Sequence, residues 1–323
     1  MQKLKIVIFK MYRYLYSFLV APFLIGVNKK FFYENYLEML NLYLINKDKY
    51  DFIEFLAPQW NKNTLILEKY FLNDFSFSFL NLDVIKATMF MYTHGDWKNI
   101  QKKFIYEYLG KKHAKEILLE YNLGRPLLND FEYTTSGNNI HHLYHLLKFF
   151  KETKTKSPDI NKVIEVGGGY GNMAKIFKKI NSESTYVIID IPIFSYIQAV
   201  YLKTIYGRDA VHIVHANRPI IKNGLINIIP LDKKILVSIK DILIDVDLFI
   251  STWALSESNE AMQNYIKNAD FFKAKYLLIA YQKMNNSFVY SENVKNIGGN
   301  YEMVFNEETE YVKDNYYLFC ERK

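Results

Sequence analysis

From residue 160 onward, short apolar runs alternate with segments of helical periodicity. Lys162-Val163-Ile164-Glu165-Val166 is a β-branched run, followed by Gly167, Gly168, Gly169, Tyr170 and Gly171, and then by apolar residues at Met173, Ile176, Phe177 and Ile180. That order predicts a buried strand, a tight turn and an amphipathic helix. Thr185 to Asp190 repeats the strand pattern, and Ile191-Pro192 opens a helix whose apolar positions Ile193, Ile197, Val200 and Tyr201 run to a stop at Gly207. Val246 to Thr252 and Tyr276 to Ala280 read as two further buried strands, with Met262, Tyr265, Ile266 and Ala269 at helical spacing between them. Tyr301 to Phe305 and Tyr316 to Cys320 form a closing antiparallel hairpin. The third parallel strand has two candidates, Ala210 to His215 and Leu225 to Ile229. The second is preferred, because Asp232 then follows its end, where an adenine amine would sit.

The first ~125 residues read as mainly helical. Phe32, Tyr36, Leu37, Leu40, Tyr43 and Leu44 recur at helical spacing, Ala57-Pro58-Gln59 ends a following segment, and Asp96 to Tyr121 is helical with a break at Gly110. Gly124-Arg125-Pro126 closes the region. Two units are expected: residues 1–130, a helical cover on the acceptor side of a cleft, and residues 131–323, the α/β catalytic domain. A chain of 323 residues is long enough for an α/β domain of ~200 residues and a smaller one.

Half the residues are hydrophobic and 17% are aromatic, which excludes the disordered class. The net charge of +7 is mostly lysine, the arginines being Arg13, Arg125, Arg208, Arg218 and Arg322. Arginine is the favoured reader of phosphates and guanine edges, so nucleic acid is not the expected partner. A mildly basic cleft that attracts a nucleotide-linked sugar fits the charge better. Cys320 is the sole cysteine, so no internal disulfide forms and a reducing cytoplasm is expected. Near the N-terminus, Lys3, Lys5, Lys10 and Arg13 precede an uncharged stretch from Tyr14 to Val27. It is short for a spanning helix and contains Pro22. It reads as a helix packed on its own protein, with peripheral docking on the inner membrane face as the alternative.

The glycine turn carries the first chemistry. Alternating glycines permit positive φ and close approach of a ligand, and the turn opens a helix whose free N–H groups face that ligand. Glu165 precedes the glycines in the order E-x-G-x-G-x-G, whereas the phosphate-cradling pattern G-x-x-x-x-G-K-[ST] is absent. A carboxylate there repels a pyrophosphate and attracts the ammonium of a methionine moiety. The cofactor expected is therefore S-adenosylmethionine, held by Glu165, Gly167, Gly168, Gly169 and Gly171. Asp190 and Ile191 are expected at the ribose, Asp232 at the adenine, and Ser251 on the cleft side of its strand.

Two stretches offer acceptor chemistry. Ser136 or Asn138 can cap a helix with core face Leu143, Leu146, Leu147 and Phe150, which places His141, His142 and His145 near its N-terminal end. His141 and His145 are one turn apart but lack the Glu of H-E-x-x-H, so metal is not the expected role; the alternatives are base, substrate contact and satisfied surface histidine. Beyond Val246 to Thr252, Trp253 can stack on an apolar sugar face and Glu257 can take a proton from a hydroxyl, with a first-turn carboxylate favoured by the helix dipole as the bland alternative. Tyr170 joins Trp253 as a substrate contact. Ser287 to Asn300, with Gly298-Gly299, is expected as a mobile loop over the acceptor.

The runs Ile164 to Gly171 and Ile188-Ile189-Asp190-Ile191-Pro192, with Gln198, Tyr201, Leu202 and Gly207 behind them, and the run Asp247 to Glu257, resemble the sugar O-methyltransferases of bacterial surface-glycan gene clusters. The resemblance covers about residues 130 to 280. It implies a Rossmann-like, seven-stranded class I methyltransferase sheet and a sugar hydroxyl as acceptor: a hexose or heptose, nucleotide-activated such as a GDP-heptose, or already within a capsular or lipid-linked glycan. The expected reaction is in-line methyl transfer, with a base drawn from Glu257, His141, His142 or His145 in that order. A divalent cation is a route some sugar methyltransferases use, without a ligand set here to support it. The rivals are an NAD-dependent oxidoreductase or epimerase, whose G-x-G-x-x-G spacing fits Gly167 to Gly171 poorly, and a non-catalytic binding subunit.

Overall fold

A computed structural model of the chain describes residues 15, 19, 23–89, 96–130, 132–243 and 245–323. Half of the Tyr14 to Val27 stretch, and with it the packed or membrane-docked helix, lies outside the described residues. Among the described residues no helix is long and apolar enough to cross a membrane.

The N-terminal region is helical, as expected: α1 (Lys29–Asn46), α2 (Pro58–Asn73), α3 (Asp83–Met89), α4 (Asp96–Leu109) and α5 (Lys111–Leu118). Gly110, at φ 76°, separates α4 from α5. Ala57-Pro58 begins a helix where the sequence reading ended one. Pro58 occupies the first turn of α2, where its missing N–H is no loss. A short hairpin, β1 (Leu128–Asp130) with β2 (Thr135–Ser136), leads into α6 (Gly137–Thr153). Ser136 caps α6, its Oγ accepting from the Asn139 amide.

The α/β part runs β3 (Lys162–Val166), α7 (Asn172–Ile180), β4 (Thr185–Asp190), α8 (Pro192–Tyr206), β5 (Val211–Ile213), β6 (Ile226–Pro230), α9 (Lys233–Ile242), β7 (Leu248–Thr252), α10 (Ala254–Glu257), α11 (Glu260–Asn268), β8 (Tyr276–Gln282), β9 (Tyr301–Glu308) and β10 (Asn315–Arg322). The strands form one sheet in the order β5-β6-β4-β3-β7-β8-β10-β9. It is parallel from β5 through β8, and β10 inserts antiparallel between β8 and β9. This is the expected Rossmann-like sheet with an eighth strand added. Both candidates for the third strand enter it: Ile226–Pro230 pairs with β4, and Val211–Ile213 is the extra edge strand beyond it.

β4 is buried along its whole length, as a central parallel strand covered on both faces must be. On one face, α6, α7 and α8 pack under the N-terminal helices in a single apolar cluster that runs from Phe32 to Phe319. On the other face, α9 and α11 cover Ile164, Val187, Ile229 and Leu277. The residue 130/131 boundary falls inside the β1–β2 hairpin, and the helical region shares its core with the sheet. A buried ion pair fastens the two: Lys175 Nζ of α7 lies 2.7 Å from Glu120 Oε1 and 2.8 Å from Asn139 Oδ1. Ser136 Oγ donates to the other Glu120 oxygen at 2.6 Å.

Candidate active site

The glycine turn sits at the carboxyl end of the central strand β3, where the sheet order reverses and open α/β sheets bind ligands. Gly167, Gly169 and Gly171 have φ of 81°, 58° and 93°. At Gly167 the need is twofold, since a Cβ there would lie 2.0 Å from Ala254 Cβ. The crowding therefore comes from α10 of the protein itself. At Gly169 a Cβ would make only ordinary contact with Met89, so its backbone conformation is the constraint.

Around this turn lies a cavity of about 320 Å³, within the range of small-molecule sites. Glu165, Gly167, Gly168, Gly169, Tyr170, Asp190, Ile191, His141, His142, Trp253 and Glu257 all reach it. Burial pushes the Glu165 carboxyl up to about 8, with the Tyr186 hydroxyl, which donates to Oε2 at 3.0 Å, pulling the other way. Burial also pushes Asp190 up to about 7, against the donors that surround it. Those donors are the Ile191 amide at 2.8 Å, the Gly169 amide at 3.0 Å and Gln198 Nε2 at 2.7 Å. Glu257 is pushed up to about 7 by burial, opposed by the Gln282 amide.

Four expected site residues stand elsewhere, and the first is Gly171, where a Cβ would meet Leu202 rather than the cavity. Asp232 caps α9, Oδ1 accepting from the Lys234 and Ile235 amides and Oδ2 from the Asp51 amide, so both its oxygens are spent on backbone. Leu231, its neighbour, lines the cavity instead. Ser251 points within the sheet: its Oγ donates to the Val166 carbonyl and accepts from the Leu255 amide, tying β7 to β3 and to α10. His145 faces the hydrophobic side, its Nδ1 bonded to the Tyr317 hydroxyl.

The histidines are not surface residues. His141 and His145 are fully buried, because α6 is covered by α4 on one side and by the sheet on the other. His141 Nδ1 meets Gln101 Nε2 at 2.9 Å, and His142 Nδ1 meets Asn172 Nδ2 at 3.1 Å. Burial holds both imidazoles below their ordinary range, His142 at about 3. Trp253 has a neighbour the sequence reading did not anticipate. The His141 ring stacks on it at 5.3 Å, and its Nε1 donates to Asn315 Oδ1 at 2.7 Å, so one face of the indole is already occupied by protein. Trp253 also sits at φ 64°, a strained conformation for a non-glycine residue at the strand-to-helix junction. Tyr170 is buried edge-on against Tyr201 at 5.2 Å, with Asn138 Nδ2 donating to its hydroxyl at 3.3 Å.

The helical region supplies the wall that sequence reasoning missed. Phe55, Leu56, Ala57 and Trp60 reach the cavity beside Leu231 and Met262, while Ala87, Thr88 and Met89 reach it beside the turn. Trp60 packs on Phe194 at 5.9 Å, and Gln59 Nε2 donates to the Glu257 carbonyl at 3.1 Å. The only sequence signal was Ala57-Pro58, a helix start that brings Phe55 to Trp60 over the strand ends. Ser287 to Asn300, expected as a loop over the acceptor, adds nothing to the cavity wall; it packs against α10 from outside.

No protein-family model and no curated protein matches the chain. Among solved structures it is similar to Aeropyrum pernix fibrillarin, crystallised with natively bound S-adenosyl-L-methionine (13% identity, 50% of this chain and 66% of that one, TM-score 0.35). It is also similar to the mitomycin 7-O-methyltransferase MmcR (9% identity, 57% of each chain, TM-score 0.37) and to a mutant of MtNAS (12% identity, 82% of this chain and 98% of that one, TM-score 0.38). The chain spans less than two thirds of the length of the fibrillarin and MmcR chains it matches. At these identities and TM-scores the likeness says nothing about activity. Among the described residues no group of three or more His, Cys, Asp or Glu side chains is placed to hold a metal ion.

Proposed function

We propose that the protein is an S-adenosylmethionine-dependent O-methyltransferase that acts on a sugar hydroxyl. One observation carries the cofactor reading. The Gly169 amide, which a dinucleotide site would aim at a pyrophosphate, donates to the Asp190 carboxylate, and a second carboxyl, Glu165, lies beneath the same turn. An amide given to an acid and flanked by another acid is a poor phosphate cradle. It suits a ligand with a cationic end and a ribose diol.

The residues present fit such a ligand. Glu165 and the turn would hold the methionine end, Asp190 and the Ile191 amide the ribose, and the apolar slot of Phe55, Leu231 and Met262 the adenine. The bound cofactor supplies an activated methyl group on a sulfonium. The chain's own task is to hold a hydroxyl in line, exclude water and take up its proton. Glu257 is assigned the proton, because a carboxyl near 7 is matched to its task at neutral pH. Phe55, Leu56, Ala57, Trp60 and Ala87 to Met89, which line the cavity, would help to exclude water from it. The sugar acceptor rests on the sequence resemblance and on the hydrogen-bonding wall made by His141 and His142.

Titration calorimetry tests the reading. S-adenosylhomocysteine is expected to bind and NAD is not, and labelled S-adenosylmethionine is expected to transfer its methyl group to a saccharide. NAD binding without a response to S-adenosylhomocysteine would replace this reading with the oxidoreductase.

A further inference from the structure

The charge and hydrogen-bonding character of the cavity narrow the acceptor. Its ionisable carboxyls are Glu165, Asp190 and Glu257, and the rest of the wall contributed by described residues is aromatic, aliphatic or neutral polar. No lysine or arginine among the described residues lines it, although the chain as a whole carries +7. With the cationic end of the bound cofactor favouring the ionised acids, a phosphate brought within ~5 Å of one such carboxylate would be opposed by about 3 kcal/mol at an effective dielectric constant of 20, before its own dehydration is counted.

The two histidines on the wall are neutral near pH 7 because burial disfavours their charged forms. With the amides of Gln101 and Asn172 donating to the two Nδ1 atoms, each ring carries its proton on Nε2. The His141 Nε2 is buried and has no partner among the described residues. A buried donor of this kind needs an acceptor atom, and an uncharged hydroxyl or ring oxygen supplies one without bringing a charge. The same tautomer makes these rings hydrogen-bond donors and leaves the proton transfer to Glu257.

We infer that the group entering this cavity is the end of an uncharged saccharide, with its oxygens held by His141 and His142, and that the diphosphate of a nucleotide-activated sugar does not enter. This rests on the methyltransferase reading and selects between the two acceptor forms left open by the sequence. The test uses the full chain loaded with S-adenosylhomocysteine. Methyl glycosides of hexoses and heptoses are titrated beside GDP, GDP-mannose, UDP-glucose and inorganic pyrophosphate, and the same sugars are then offered with labelled S-adenosylmethionine.

The expected result is binding of, and methyl transfer to, at least one phosphate-free glycoside. Its kcat/KM should be tenfold or more above that of the matching nucleotide sugar, with no binding of GDP or pyrophosphate up to millimolar concentration. His142→Phe, and the milder His142→Gln, should raise KM for that glycoside about tenfold or more while the affinity for S-adenosylhomocysteine stays within twofold. Nucleotide sugars methylated as well as their glycosides, or GDP binding to the loaded protein, would overturn the inference and leave the methyltransferase reading intact. A chain that binds no S-adenosylhomocysteine at all would instead remove that reading.

Discussion

The Gly169 amide and the Asp190 carboxylate are joined across two strand ends by a 3.0 Å hydrogen bond. Asp190 Oδ2 also accepts from Gln198, and its Oδ1 from the Ile191 amide, so the acid is fixed before any ligand arrives. Its rigidity would pre-organise it for the proposed ribose diol. Asp190→Ala removes the acceptor and leaves the Gly169 amide unpaired. The expected loss is about tenfold to a hundredfold in S-adenosylhomocysteine affinity, the size of a charged hydrogen bond. Calorimetry on the variant checks it, with Asp232→Ala as the contrast. Asp232→Ala should lower stability by ~1 kcal/mol, the worth of a helix cap, with little change in affinity.

The raised carboxyls make the ligand-free protein sensitive to pH. Glu165, at about 8, and Asp190, at about 7, bind protons in the folded state that an unfolded carboxyl, near 4, has already released. The folded state therefore holds more protons through this window, and stability falls as pH rises from about 4 to about 8. Melting temperatures measured across that range should decline. S-adenosylmethionine should flatten the decline, because its positive charge favours the ionised acids. A melting temperature that rises from pH 5 to pH 8 without ligand would contradict the assignment.

As the proposed base, Glu257 would give the reaction its own pH signature. A carboxyl near 7 accepts a proton only after losing its own, so kcat should climb through about pH 7 and level off above it. Glu257→Gln should lower kcat by about 10² to 10⁴ and abolish that limb, with KM for S-adenosylmethionine little changed. A rate profile for the variant that keeps the limb would move the base to another group.

The buried Lys175–Glu120 pair is a stability element away from the chemistry. Burial alone would push the Glu120 carboxyl up, but the charge and hydrogen bond of Lys175 and the Ser136 hydroxyl overcome it and leave the group below its ordinary range. Lys175→Met strands that carboxylate in the core and should cost about 3 to 5 kcal/mol in urea denaturation. Adding Glu120→Gln should recover part of the loss.

The sequence by itself determined where the strands of the sheet's core lie. The apolar runs ending at Val166, Asp190 and Thr252 read as buried strands, and the glycines between Val166 and Asn172 as a positive-φ turn, and the structure has both. Those are local facts, set by side-chain periodicity and by backbone sterics within a few residues. Tertiary structure decided which polar groups remain available for chemistry. Asp232 and Ser251 were attractive by position, yet each is consumed by backbone groups distant in the chain or across the sheet, at Asp51 and Val166. His145 turned to Tyr317 and Trp253 received His141, while Phe55 to Trp60 came to wall a cavity whose floor lies more than a hundred residues away. A side chain's partners depend on which distant segments pack against it, and periodicity along one strand or helix carries no record of that.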